Sequence, residues 1–127
     1  MELKRYVLLE NKEIIKTNEK QYICTIDNCL YTKVDDWIDS KVSGYTATKT
    51  SDNILDLVEV GDLVEDKDGA VLQFYEWWYH DDDKEDCPSW IRLGNPKRNV
   101  HTTRWYTNEI VAIYKRQPNG DYKRYLV

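Results

Sequence analysis

No stretch of this chain approaches the about 18 consecutive apolar residues of a membrane-spanning helix. The opening MELKRYVLLENKE also lacks the apolar core and small-residue cleavage site of a secretory signal. The expectation is a cytoplasmic protein whose mature chain begins as written. A basic surplus is missing too: the net charge is -5, which argues against affinity built on bulk attraction to nucleic acid phosphates but not against a local basic patch. Cysteines number three, Cys24, Cys29 and Cys87, an odd set with no CxxC pair. The expectation is that Cys24 and Cys29 are reduced and packed in strand-like segments. Cys87, His80 and His101 lack the spacing of a closed tetrahedral zinc site, so no metal is expected. No nucleophile stands with a matched base and there is no phosphate-binding glycine loop, so neither an enzyme nor a cofactor is expected.

Phenylalanine is the other shortage, with one Phe against ten Tyr and five Trp. The interior and the surface must therefore draw on rings that carry a polar handle, which suit β-structure and binding surfaces. At 127 residues the chain has the size of a single domain, 1–127, with one modest core. An apolar content of 41% with 32% charged residues is ordinary for a folded chain.

Taken in order, Tyr6 to Leu9 and Ile14-Ile15 flank Asn11-Lys12 as a hairpin, with Asn11 taking the positive φ. That places Leu9 opposite Ile14 and Leu8 opposite Ile15, with apolar residues on both faces, so the hairpin is expected inside the domain and not on a free edge. Gln21 to Ile26 and Cys29 to Thr32 form a second hairpin around Asp27-Asn28. In VDDWIDSKV, residues 34 to 42, the offsets of Val34, Trp37, Ile38 and Val42 suit one or two helical turns, with Asp35 and Asp36 at the positive end. Tyr45 to Thr50 reads as a strand.

Ser51 and Asp52 are good caps for a short helix, Ile54 to Val58, which would plug one end of the sheet with Ile54, Leu55, Leu57 and Val58. Val60 to Val64, a turn at Glu65 to Gly69, and a strand from Val71 to Tyr79 then form a hairpin. The turn lacks the further ligands of an EF-hand loop. The order resembles the first hairpin of small SH3-like barrels. The expected fold is thus mainly β with a minor α contribution: a small antiparallel sheet, or an SH3-like partly open barrel, built from hairpins with one or two short helices.

His80 to Pro88 reads as an exposed acidic loop, in which Asp81, Asp82, Asp83, Glu85 and Asp86 could present negative charge to a basic partner. Ser89 to Leu93 is a short strand candidate. Lys97, Arg98, His101 and Arg104 then form a basic counterweight, whose ion pairs with the loop would serve orientation more than stability. In the C-terminal hairpin, Pro118 suits the first position of a type I turn and Gly120 the left-handed position that follows. The register pairs Gln117 with Asp121, Arg116 with Tyr122, Lys115 with Lys123 and Tyr114 with Arg124. One face becomes a checkerboard of two rings and two guanidiniums, suited to a phosphate-bearing ligand or an acidic partner surface. On the other face two lysines repel unless an acidic group intervenes. Trp77, Trp78, Tyr79, Trp90, Trp105 and Tyr106 divide between core and contact surface. If Trp77 and Trp78 lie on a strand they point to opposite faces, so one is a candidate for a groove or partner contact.

The phrases ELKRYVLLENKEIIKT, KTSDNILDLVEVGDLVE and TNEIVAIYKRQPNGDYKRYLV resemble the small accessory proteins carried by phages and prophages of low-GC Gram-positive bacteria. That resemblance brings no catalytic residues. It implies a class whose members are often dispensable for phage growth, and some of which inhibit host defence by binding, including anti-CRISPR proteins and nucleotide sponges. The function expected is a non-enzymatic binder in the host cell that blocks a host protein or sequesters a nucleotide signal. Its candidate contacts are Trp77, Trp78, Tyr79, Arg104, Trp105, Tyr114, Arg116, Tyr122 and Arg124, and a homo-oligomer is compatible with them. The alternatives are a small β-barrel that binds nucleic acid through exposed rings and basic patches, or an interaction protein with no role in defence.

Overall fold

The computed structural model describes residues 1–35, 38–80, 85–92 and 109–127, with backbone alone for 38, 75–80 and 85–92. Arg104, Trp105 and Asp81 to Asp83 lie outside the described residues. Ten strands are described: β1 (Tyr6–Leu9), β2 (Ile14–Lys16), β3 (Gln21–Ile23), β4 (Cys29–Val34), β5 (Ile38–Ser51), β6 (Leu63–Asp66), β7 (Val71–His80), β8 (Glu85–Arg92), β9 (Ile110–Arg116) and β10 (Tyr122–Leu126). They form two open antiparallel sheets, β2-β1-β5-β4-β3 and β10-β9-β6-β7-β8. The expected mainly β, hairpin-built class holds. The chain divides into two compact units, one of Met1–Leu57 with Gln117–Asn119 and one of Val58–Arg116 with Gly120–Val127.

In the first unit, strand alternation sends Val7, Leu9, Ile23, Leu30 and Ala47 into one buried cluster, against which Leu3 and Ile15 pack. The β1–β2 register is one residue away from expectation, with Leu8 opposite Ile14 and Val7 opposite Ile15. The loop has three residues, Glu10, Asn11 and Lys12. It is closed by Leu9 N–H donating to Glu13 O and Lys12 N–H to Leu9 O, each at 2.9 Å. Lys12, not Asn11, takes the left-handed conformation (φ 71°), while Asn11 Oδ1 accepts from Glu13 N–H. The hairpin's apolar side chains are buried as expected, yet β2 sits at the end of its sheet.

Two further expectations fail in this unit. Strand β3 stops at Ile23, so Cys24 lies in a turn with Cys24 N–H donating to Cys29 O and Asn28 N–H to Cys24 O. Asn28 is left-handed (φ 55°) and Ile26 is exposed at the tip. Cys24 and Cys29 are both free thiols, and Cys29 is buried. The helix expected over 34 to 42 is instead the junction of β4 and β5, with Val34 opposite Ile38. Asp35, at φ 61°, ends β4 in a conformation no α-helix contains. The helical spacing of Val34 and Ile38 arose because two strand ends, not two turns of one helix, lie four residues apart.

The plug after β5 is a 3-10 turn, Ile54–Leu57, and among the described residues there is no α-helix. Four residues give too few bonds to carry an α-helix past its nucleation cost. Capping comes from Ser51 Oγ, which accepts from Asn53 N–H, and from Asn53 Oδ1, which accepts from Leu55 N–H. Asp52 does not cap it but accepts from Arg5 N–H. Ile54 and Leu57 are buried, and Leu55 is only partly so.

In the second unit Val64, Leu72 and Ile113 stand side by side across three strands and are buried with Phe74, the single Phe. The β6–β7 loop is Lys67-Asp68-Gly69, with Gly69 at φ 83°. Buried Asp66 closes it by accepting from Asp68 N–H and Ala70 N–H on the same Oδ1, each at 2.9 Å. The expected acidic loop is shorter than the composition suggested: β8 begins at Glu85, and Glu85 and Asp86 pair with His80 and Tyr79. Pro88 lies within β8, opposite Trp77, and among the described residues β8 is the end strand of its sheet, where a missing N–H is tolerated.

Candidate functional site

Strand β9 lies between β6 and β10, so each of its side chains is placed by two registers, and those of β10 by one. The β9–β10 pairing is the expected one, with Tyr122 opposite Arg116, Lys123 opposite Lys115 and Arg124 opposite Tyr114. Gly120 occupies the left-handed position at φ 91°. The four residues of the checkerboard are therefore brought together. Arg124 lies over the Tyr114 ring, its Cζ 5.9 Å from the centroid.

Strand β6 adds what was not anticipated. Leu63 pairs with both Tyr114 and Gln73, which puts Glu65 on the checkerboard face. Tyr114 Oη donates to Glu65 Oε1 at 2.7 Å, and Arg124 Nη2 lies 3.6 Å from Glu65 Oε2. Tyr122 Oη donates to Gly61 O at 3.1 Å. Gly61 stands at φ 96°, in the left-handed region that favours glycine, and the Arg116 side chain lies alongside its backbone. The face is half open: the Arg124 side chain is 48% exposed and Tyr122 is 42% exposed.

Behind it, the opposed lysines have separate environments. Lys115 is buried at 1% exposure and donates to Asp62 Oδ2 at 2.6 Å and to Glu59 Oε1 at 2.7 Å. Asp62, equally buried, also accepts from Glu59 N–H at 2.8 Å and Arg116 N–H at 2.9 Å. The acidic groups the register demanded are thus supplied by the turn before β6. Lys123 lies 5.6 Å from the centroid of the Tyr125 ring. This network fixes β9 and with it the positions of Tyr114 and Arg116.

A second cluster occupies the first unit. Tyr22 and Tyr31, cross-strand partners, stack with centroids 5.9 Å apart. Tyr31 Oη donates to Asp27 Oδ2 at 2.8 Å, and Asp27 Oδ1 accepts from Cys29 N–H at 3.0 Å. The Cys29 N–H, then the Tyr31 hydroxyl, hold the Asp27 carboxyl below the usual range. The bond to Asp27 pushes Tyr31 up to about 12. The bond to Asp39 does the same for Tyr22, also to about 12.

Of the other expected contacts, Trp77, Trp78 and Tyr79 have backbones in β7 opposite Pro88, Cys87 and Asp86, and their side chains lie outside the described residues. Glu85 and Asp86 are backbone positions of β8; Arg104, Trp105, Asp81, Asp82 and Asp83 are not described. Among the described residues no group of three His, Cys, Asp or Glu side chains is placed to hold a metal, and no helix is long and apolar enough to cross a membrane. Compared with family models, curated proteins and solved structures, the chain matches none.

Proposed function

We propose that this protein is a non-enzymatic binder that acts by occupying an acidic surface of a partner protein with the Tyr114, Arg116, Tyr122 and Arg124 face. The biological setting that the opening and closing phrases of the sequence suggest is a phage accessory protein directed against a host defence component. The observation that carries the reading is the face itself. Two rings and two guanidiniums are presented on a paired, buried-anchored hairpin, and among the described residues one carboxylate, Glu65, contacts one guanidinium loosely at 3.6 Å. Planar guanidinium forks backed by rings are well matched to carboxylates and are enriched where interfaces concentrate their energy.

The test is capture of partners from the bacterial host by immobilised wild-type protein and by an Arg116→Ala/Arg124→Ala variant of matched thermal stability. The expected result is a host protein retained by the wild type and lost by the variant. Capture by both equally removes this face from the reading. In parallel, a thermal-shift panel of cyclic and ADP-ribose-type nucleotides reads the sequestering alternative. A rise in Tm with one nucleotide, abolished by Arg124→Ala, moves the function to that ligand.

A further inference from the structure

The outer edge of the same hairpin carries a second feature. Among the described residues, strand β10 ends its sheet. In an antiparallel pair, opposed residues alternate between those that exchange hydrogen bonds and those whose N–H and C=O point away from the partner. Val127 N–H donates to Val111 O at 3.0 Å, and this position lies in register with Tyr125 opposite Ile113 and Lys123 opposite Lys115. These are therefore the bonded positions, and Tyr122, Arg124 and Leu126 direct their backbone N–H and C=O groups toward the open edge. The same three residues carry their side chains on the checkerboard face, where Leu126 is 68% exposed.

Natural sheet edges are guarded by proline, bulges, short length or charge. The register of β10 is free of bulges and the strand has no proline. Its guard is the pair Lys123-Arg124, with no acid in the strand. Such a guard is selective. Antiparallel addition of a second copy in the fully overlapped register would set Arg124 opposite its own copy, and a shift toward the turn would set Lys123 opposite its own. An acidic strand meets the opposite condition.

We propose that β10 is a strand-addition site for an extended acidic segment of a partner protein, which pairs antiparallel with Tyr122, Arg124 and Leu126. This deepens the binding reading above and rests on it. The segment carries an apolar side chain opposite Leu126 and, two residues on, a carboxylate opposite Arg124. Backbone bonds supply a general affinity, and the alternate side chains supply the choice of sequence. The carboxylate takes guanidinium donors that the loose Glu65 contact leaves available.

The test uses the full chain and short fluorescein-labelled peptides of alternating Thr, with Val at the position facing Leu126 and Glu, Ser or Lys at the position facing Arg124. Anisotropy is expected to show binding of the Glu peptide, about tenfold weaker binding of the Ser peptide, and none of the Lys peptide. Arg124→Glu should move the preference to the Lys peptide. Leu126→Pro, which removes an edge-facing N–H and no bond to β9, should abolish binding. N-methylation of the Glu peptide at an edge-pairing amide should do so on the unaltered protein.

Indifference to the central residue, or binding that survives N-methylation, overturns the proposal. So does a dimer in sedimentation that disappears in Leu126→Pro, since the occupant is then a second copy. Partner capture that survives Leu126→Pro but is lost in Arg116→Ala overturns strand addition and leaves the face reading standing. Capture that survives both variants removes the two together.

Discussion

Asp62 is a buried carboxylate on which three bonds of the second unit converge. Its two oxygens accept from Lys115 Nζ and from the N–H groups of Glu59 and Arg116. Asp62→Ala would leave two backbone donors without this acceptor and take one carboxylate away from a buried ammonium, a loss of about 3–5 kcal/mol. Lys115→Met also breaks the buried pair but keeps both N–H bonds to Asp62, and should cost less than Asp62→Ala. Urea unfolding of the two variants checks the order, and equal losses would refute the view of Asp62 as hub. In the first unit the residue-level test is pH. Tyr22 and Tyr31 titrate normally near 10 when unfolded and are raised to about 12 when folded. A raised pKa favours the protonated folded form, so this stability is complete below pH 10 and disappears as pH rises through about 12. Asp27 has the opposite sign: its pKa is lowered, so its contribution is present above the unfolded value of 3.8 and is lost as pH falls through the folded one. Absorbance near the tyrosinate band should show Tyr22 and Tyr31 titrating late. Tyr31→Phe should diminish that late component, and a titration in which neither Tyr31→Phe nor Tyr22→Phe changes it would exclude the Asp bonds.

At the scale of elements, three hairpins use one device, a three-residue loop whose last residue is left-handed: Lys12, Gly69 and Gly120. Lysine meets a steric penalty in that conformation of roughly 1–2 kcal/mol that glycine avoids. Lys12→Gly should therefore raise the thermal midpoint and Gly120→Lys should lower it, although a Cβ at Gly120 has open space around it. Opposite shifts of similar size support a backbone origin, whereas a loss in both would show that the Lys12 side chain matters more. The same comparison explains what was legible in the sequence. The β9–β10 register, and with it the checkerboard, could be read directly because Pro118 and Gly120 pin the loop. The β1–β2 register could not, because nothing in Glu10-Asn11-Lys12 announces that lysine takes the strained position. The helix expected over 34 to 42 failed because an offset of four also arises between two paired strand ends, Val34 and Ile38. Glu65 and Asp62 were missed as parts of the site because their neighbours in β9 lie about fifty residues away in sequence, beyond any local pattern.

For the whole molecule, the distribution of charge decides between classes of partner. Residues 110–127 hold four basic side chains and one acid, so they carry +3, and the remainder of the chain carries -8. A nucleic acid strand, with a charge on every phosphate, would gain from the hairpin but meet repulsion from most of the rest, while a protein with one acidic strand needs only the hairpin. Affinity for single-stranded DNA should therefore be absent even at about 50 mM salt, where counterion release is strongest. Partner binding through β10 should instead weaken only modestly with salt, because one or two charge pairs are involved and the backbone bonds are insensitive to it. Both are read by titrating the same labelled protein against an oligonucleotide and against the Glu peptide over a range of salt. Tight binding to the oligonucleotide with a steep salt slope would transfer the hairpin's rings and guanidiniums to nucleic acid recognition, where rings stack on bases and arginines meet phosphates.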